Sequence, residues 1–151
     1  MNTPKTKAFE AVEAIELGAD EIDMVINVGA LKDKDYDYVK REIEEVRDNI
    51  EGKILKVIIE TSLLTKEEII KMTEICNDTF VNFIKTSTGF GSRGASLDDI
   101  KIINNNKNDI LEIKASGGIK TYDEAIKFIE AGVTRIGTSN SVNIVRKQEK
   151  Q

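Results

Sequence analysis

The sequence predicts an α/β fold with parallel strands and barrel-type packing, and three observations support this. The hydrophobic spacing switches regularly between the period of a strand and the period of a helix along the 151 residues. The alternation gives five β/α repeats without a linker, and strands separated by helices form right-handed parallel units. Charged residues recur on one face of the strands, which suits the interior of a barrel better than an open sheet covered by helices on both faces.

Five helices are predicted from N-terminal signals followed by apolar residues at helical spacing. Thr3-Pro4 combines an N-cap with a favoured first-turn proline, and Gly18 closes the helix that follows. Two later helices open with a capping box, in which a threonine is followed three residues on by a glutamate. The other predicted helices are residues 36–50, a segment from Thr65 to about Asn77, and the segments that follow Ser96 and Thr121.

The strands are predicted from short apolar runs, and the two-residue period of a strand divides their side chains between two faces. Ile22 and Met24 share a face in the first strand and leave Asp23 on the other face. Val57 in the second strand likewise points away from Lys56. The predicted strands are residues 21–27, 53–60, 80–85, 110–114 and 133–137.

The composition excludes several kinds of chemistry. The chain has no histidine, which excludes a Ser-His-Asp triad and any histidine metal site. The single cysteine, Cys76, excludes an intrachain disulfide and a paired-cysteine metal or redox site. The net charge of −5 without a basic cluster argues against a nucleic-acid surface. With no apolar run long enough for a membrane span and no visible signal peptide, the chain is expected to be soluble and cytoplasmic.

Two similar segments each place a lysine at the end of a strand. Residues 84–89 and 113–118 both read as strand, lysine, small residue, serine, small residue and glycine, so Lys85 and Lys114 are expected at neighbouring strand ends on one face. Two ammonium groups held close together favour loss of a proton from one of them, and a neutral lysine can form a Schiff base with a carbonyl substrate. Alternatively, the lysines reach solvent or pair with Glu60 or Glu112.

Asp23 is the third candidate, because an unpaired carboxylate in the middle of a strand would be costly. It could relay a proton or pair with a functional lysine. The alternative is a structural partner of Lys56 or Lys114.

Three glycine-bearing loops follow strand ends, at residues 89–94, 116–118 and 137–139. Backbone N–H groups exposed by glycine form an anion cradle, and barrels commonly bind phosphate at the loops after their last two strands. Residues 89–94 also match a weak dinucleotide fingerprint. That interpretation is disfavoured because Lys114, rather than an acidic residue, ends the next strand.

Five segments in order resemble the deoxyribose-phosphate aldolases, a family of class I aldolases with a TIM (β/α)8 barrel. They include FIKTSTGF at 83–90 and KASGGI at 114–119, and the others are residues 18–27, 55–61 and 135–139. The resemblance implies that the chain is a single domain, 1–151, holding about five β/α units from the C-terminal part of the barrel. In the family three further strands with their helices, including an active-site aspartate, precede these units.

The resemblance also implies a reaction and roles for particular residues. Family members cleave 2-deoxy-D-ribose 5-phosphate into D-glyceraldehyde 3-phosphate and acetaldehyde without a metal or other cofactor. Lys85 is then the Schiff-base lysine, Lys114 the neighbouring amine that eases its deprotonation and shuttles protons, and Asp23 the proton-relay carboxylate. Asn140 stands where a second serine is usual. The residues expected to hold the phosphate are Gly89, Gly117, Gly118, Gly137 and Ser139.

Three interpretations of function follow from this resemblance. The first is a deoxyribose-phosphate aldolase in deoxyribonucleotide catabolism, with a sugar phosphate and acetaldehyde as its small-molecule partners. The second is an inactive or assembly-dependent fragment of such an enzyme, which would act with a complementing N-terminal fragment or as a homo-oligomer, because five strands leave two open sheet edges. The third is a non-catalytic sugar-phosphate binder that uses the glycine loops without the lysines.

Overall fold

Five parallel strands lie side by side in sequence order in the computed structural model, which describes residues 2–148. This confirms the predicted parallel α/β arrangement. The strands are β1 (Glu21–Val25), β2 (Ile54–Ile58), β3 (Phe83–Lys85), β4 (Glu112–Ser116) and β5 (Arg135–Gly137). The helices are α1 (Pro4–Glu16), α2 (Val28–Lys32), α3 (Tyr36–Asn49), α4 (Lys66–Asp78), α5 (Leu97–Asn106), α6 (Tyr122–Glu130) and α7 (Ser141–Gln148).

The helix starts agree with the capping residues in the sequence. Thr3 caps α1 through the backbone N–H of Thr6, and both predicted capping boxes form, at Thr65 and at Thr121. The sequence missed α2 and α7, as well as a 3-10 turn at Thr61–Leu63. The helix α2 has only five residues, too few for an apolar period to show.

Several strands are shorter than predicted because their ends adopt other conformations. Phe80 was expected to begin the third strand, but it has a positive φ of 53° and is exposed, and β3 begins only at Phe83. Glu60 was expected within the second strand, but its φ of 52° places it beyond the end of β2. Asn27 caps α2 instead of extending β1, which ends at Val25.

One face of the sheet packs against the helices and holds the apolar core. The buried strand residues Ile22, Val57, Ile84 and Ile113 all belong to this cluster. The cluster also includes Cys76, which is fully buried and has a pKa raised to about 12 by burial. The described residues contain no helix that is long and apolar enough to cross a bilayer.

The opposite face, called here the inner face, is strongly concave. An ion pair joins Arg135 on β5 to Glu21 on β1, with 2.6 Å between Nη1 and Oε2. In a flat sheet these strands would be four spacings, or about 19 Å, apart, beyond the reach of the two side chains. The sheet therefore curls as part of a barrel does, which agrees with the predicted barrel-type packing.

Candidate active site

The register of the sheet brings the two candidate lysines side by side. Lys85 on β3 is directly opposite Lys114 on β4, and both side chains lie on the inner face. On the neighbouring strand pair, Asp23 of β1 is opposite Lys56 of β2. The polar residues that the strand period placed on one face thus lie together on the concave side of the sheet.

Asp23 lies at the centre of this group and contacts three lysines. Its Oδ1 accepts a hydrogen bond from Lys56, and its Oδ2 lies 2.8 Å from Nζ of Lys85 and 4.0 Å from Nζ of Lys114. Asp23 therefore pairs with Lys56, as the structural alternative predicted, and also with Lys85, a candidate catalytic lysine. Glu60, expected as a possible lysine partner, instead accepts hydrogen bonds from Thr88 and Ser62.

A chain of alternating charges extends from Asp23 across the inner face. Lys56 Nζ also lies 2.8 Å from Oε2 of Glu21, and the same oxygen accepts from Arg135. The Arg135 guanidinium lies over the ring of Phe83 at 4.5 Å. Sequence reasoning did not single out Glu21 or Arg135, although the two-residue period places both on the inner face. This row of alternating charges keeps the Asp23 and Glu21 carboxylates ionised and fixes their side chains.

The pKa shifts follow from this arrangement. Burial of Asp23 disfavours its charge, but hydrogen bonds from Lys56 and Lys85 outweigh burial, and the pKa of Asp23 lies below its ordinary value. The pKa of Lys114 is lowered, first by burial and then by the positive charge of Lys85. Lys56 shows the opposite behaviour, since its two carboxylate partners raise its pKa in spite of burial. Lys114 is thus the amine of this site whose deprotonation the surroundings favour.

The depressed pKa of Asp23 predicts a measurable dependence of stability on pH. In the folded chain this pKa lies below the ordinary 3.8, so the ionised carboxylate stabilises the fold. That contribution is fully present above the ordinary value and is lost as the pH falls through the folded pKa. In urea unfolding from about pH 6 to pH 3, the free energy of unfolding should therefore fall more steeply for wild type than for Asp23→Asn.

The control for this experiment is Asp20→Asn, because Asp20 is an exposed carboxylate whose partner is Lys53. This variant should keep the steep acid slope of wild type. An Asp23→Asn protein with the wild-type slope would contradict the stabilising role of the ionised Asp23.

A cavity of about 430 Å³ opens beside the two lysines. Its walls are the loops that follow β3, β4 and β5, so the carboxyl ends of three neighbouring strands contribute to one site. All five residues expected to hold a phosphate line it, together with Lys85 and Lys114; these five are Gly89, Gly117, Gly118, Gly137 and Ser139.

Further lining residues were not expected from the motifs. Lys120 adds a third lysine to the cavity wall, and Thr88 and Thr138 add hydroxyls. Lys120 directly follows the KASGGI segment, so its position beside a glycine loop was the available signal. Asn140, which stands at the unusual position in the family pattern, also lines the cavity. The described part of the chain contains no group of three or more Cys, Asp or Glu placed to hold a metal ion.

The loops are held against one another by hydroxyl groups and by a close glycine contact. Ser116 Oγ donates to the carbonyl of Ser87 at 2.8 Å, and Thr86 Oγ1 accepts from the Ser116 N–H at 3.2 Å. Gly94 lies directly against Gly117, where an added Cβ on Gly94 would be 2.0 Å from the Gly117 carbonyl oxygen. The last glycine of the 89–94 loop thus allows two backbones to touch.

We expect Gly94→Ala to destabilise the fold by about 1–3 kcal/mol or more, because the clash is with backbone that cannot rotate away. The matched variant is Gly118→Ala, where the added Cβ meets nothing within 4 Å and only the positive φ of 77° opposes it. Chemical denaturation should rank Gly94→Ala as the less stable variant, and the opposite ranking would contradict the close packing of the two loops.

Comparison with known proteins gives one consistent result. Residues 1–145 match the sequence profile described as DeoC/LacD family aldolase. The deoxyribose-phosphate aldolase of Mycoplasma capricolum is 50% identical over 145 residues, which are 96% of this chain and 65% of that protein. The chain thus spans about two thirds of the length of the curated relatives it matches.

Solved structures agree with the sequence comparison. A structure described as "QR15, an Aldolase" superposes with a TM-score of 0.94 at 43% identity, covering 99% of this chain and 68% of that one. The deoxyribose phosphate aldolase from Aeropyrum pernix, described as a unique tetramer, has a TM-score of 0.88 at 25% identity, covering 99% and 63% of the two chains. The partial barrel predicted from the sequence is therefore confirmed.

Proposed function

Because this chain belongs to the DeoC/LacD family of aldolases, we propose that its inner face performs class I aldol cleavage of 2-deoxy-D-ribose 5-phosphate. The products are D-glyceraldehyde 3-phosphate and acetaldehyde. The observation that carries the proposal is the position of Lys85 and Lys114, which lie on adjacent strands, close to one oxygen of Asp23, at the wall of a cavity with glycine loops.

Lys85 is the proposed nucleophile. Its Nζ attacks the C1 aldehyde of the open-chain sugar, and loss of water gives an iminium ion. Removal of the proton from the C3 hydroxyl then breaks the C2–C3 bond, because the iminium accepts the bonding electrons and becomes an enamine. Glyceraldehyde 3-phosphate leaves first. Protonation of the enamine carbon and hydrolysis of the resulting iminium release acetaldehyde and restore the Lys85 amine.

Lys114 and Asp23 are the proposed proton-transfer groups. The lowered pKa of Lys114 supports a neutral amine that can accept a proton during imine formation. Asp23 contacts Lys85 directly and lies 4.0 Å from Lys114, a position from which a carboxylate can pass a proton between the lysines and the substrate. Lys56 would keep that carboxylate fixed and ionised, and Glu21 would hold Lys56 in place.

The phosphate is proposed to lie against the glycine loops. Gly117 and Gly118 both have positive φ, which lets the backbone approach a ligand closely. Lys120 would add a positive charge to the same wall. With its phosphate at the glycine loops, the substrate would extend from there to the Lys85 amine.

An assembly-dependent activity is the second candidate. Within residues 2–148, β1 and β5 each have a neighbouring strand on one side only, and such open edges favour pairing with another segment. A homo-oligomer or a complementing N-terminal fragment could provide it. A non-catalytic sugar-phosphate binder has no comparable support, because it leaves the arrangement of the lysines around Asp23 without a use.

A retro-aldol assay separates these candidates. We expect the chain to release acetaldehyde from 2-deoxy-D-ribose 5-phosphate, either alone or after addition of the N-terminal third of a longer relative. Release by the chain alone supports the aldolase, and release only after the addition supports the assembly-dependent form. Binding of the sugar phosphate without turnover under both conditions would favour the binder and overturn the proposal.

A further inference from the structure

We propose that Glu60 is a positioning residue that fixes the Thr88-Gly89 loop in the shape that receives an anion. The inference deepens the proposed function, because that loop forms one wall of the cavity beside Lys85 and Lys114. Glu60 itself does not line the cavity; it acts through Thr88.

The backbone at Glu60 interrupts the regular end of the sheet. The Ile59 N–H donates to the Lys85 carbonyl at 3.0 Å, and the Thr61 N–H donates to the Thr86 carbonyl at 2.8 Å. Between these two hydrogen bonds the first segment advances by two residues, from Ile59 to Thr61, while the second advances by one, from Lys85 to Thr86. Glu60 is therefore an extra residue in the first segment. Such bulges redirect a side chain next to functional sites. Glu60 adopts φ 52° and ψ 68°, a left-handed conformation that is rare for a residue with a side chain.

The Glu60 carboxylate is buried and accepts its hydrogen bonds from neutral donors. One oxygen, Oε2, accepts both from the Thr88 N–H at 3.1 Å and from the Thr88 hydroxyl. The other oxygen, Oε1, accepts from the Ser62 hydroxyl at 3.2 Å. The Thr88 hydroxyl in turn accepts from the Phe90 N–H at 3.1 Å. A single carboxylate therefore fixes the backbone on both sides of Gly89.

Gly89 is the residue this network holds. It lines the cavity and has a positive φ of 98°, so its conformation depends on its neighbours rather than on a side chain of its own. The next glycine, Gly91, lies so close that an added Cβ would be 2.8 Å from Glu60 Oε1. The loop is thus folded around the Glu60 carboxylate, with Gly89 facing the cavity and Gly91 packed on the carboxylate.

A carboxylate close to an anion site would repel the ligand, so its presence there requires a compensating role. Hydrogen bonding to Thr88 is that role. Glutamine can preserve it, because its carbonyl oxygen can accept from Thr88 while its amide donates to the Ser62 hydroxyl. Alanine removes every bond. The two variants therefore separate the geometry of the side chain from its charge.

The test measures binding of inorganic phosphate by calorimetry, with the full chain and without any need for turnover. Glu60→Ala should weaken phosphate binding by about 10- to 100-fold, because the loop loses every hydrogen bond that the Glu60 side chain accepts. Glu60→Gln should bind at least as tightly as wild type. In the turnover assay, Glu60→Ala should raise the KM for 2-deoxy-D-ribose 5-phosphate and leave the kcat/KM for unphosphorylated 2-deoxy-D-ribose within about threefold.

The matched control is Glu42→Ala. Glu42 is also a buried carboxylate that accepts a backbone N–H, from Asn27, but it pairs with Lys7 and does not line the cavity. It should leave phosphate binding unchanged. If Glu60→Ala does not fold, Ser62→Ala provides the second variant, because it removes a hydroxyl that donates to Glu60 and does not itself line the cavity, and it should also weaken phosphate binding.

The outcomes distinguish this inference from the proposed function. Phosphate binding by Glu60→Ala as tight as wild type, or an equal loss in Glu42→Ala, would overturn the role of Glu60 alone. No phosphate binding by wild type would overturn both the anion cavity and this inference. Weakened binding in Glu60→Ala together with an absence of turnover in wild type would support Glu60 and overturn the aldolase proposal.

Discussion

Replacing Lys85 by methionine is expected to abolish covalent trapping of acetaldehyde and to reduce retro-aldol turnover by at least about 10³-fold. Methionine keeps a long, flexible side chain beside Asp23 but removes the amine that forms the imine. When wild type is treated with acetaldehyde and borohydride, reduction of the imine should leave an N-ethyl group on Lys85. Peptide mapping by mass spectrometry measures the position of this adduct.

Two variants make this result specific. Lys101→Met removes an exposed lysine of α5 and should leave the adduct and the turnover unchanged. Lys114→Met should slow formation of the adduct on Lys85 without moving it, because Lys114 is proposed to accept a proton and not to bond the substrate. An adduct mapped to Lys114 in wild type would reverse the proposed roles of the two lysines.

Asp23→Asn is expected to reduce turnover by about 10²- to 10⁴-fold, the range typical of a general acid–base group. Asparagine keeps the size of the side chain but cannot take up a proton at this position. It also leaves three neighbouring lysines without the carboxylate that they contact. The measurements are steady-state turnover and the rate of borohydride trapping at Lys85.

The exposed neighbour Asp20 gives the matched substitution for this test as well. Asp20→Asn should turn over at the wild-type rate, because its partner Lys53 does not line the cavity. An Asp23→Asn protein with wild-type turnover would exclude proton relay by Asp23 and leave it only its ion pairs with Lys56 and Lys85.

The candidate site was accessible to sequence reasoning because it follows from short-range rules. The repeated strand-lysine-glycine segment predicted that Lys85 and Lys114 are neighbours, and the register places them directly opposite each other. The period of the first strand placed Asp23 on the same face as Lys56. Parallel strands connected in order bring their carboxyl ends to one edge, so these positions depend on little beyond element type and topology.

Other parts of the site depend on contacts that no local pattern specifies. The ion pair between Glu21 and Arg135 joins residues 114 positions apart, and it forms only because the sheet curls. The left-handed backbone of Glu60 and the early end of β2 were missed for a similar reason. An apolar run predicts a continuous strand, and only the bonds from Ile59 and Thr61 to the next strand reveal the extra residue.

From the sequence it was possible to predict the order of the five strands and of five helices, the parallel sheet, the polar face and the family of this protein. Each of these can be predicted from the spacing of apolar residues, from capping residues and from short motifs, all of which involve residues close together in the sequence. Only the folded chain shows the curvature of the sheet, the group of three lysines around Asp23 and the attachment of the Thr88-Gly89 loop to Glu60. These depend on distances between residues far apart in sequence, and packing sets those distances only when the whole sheet has formed.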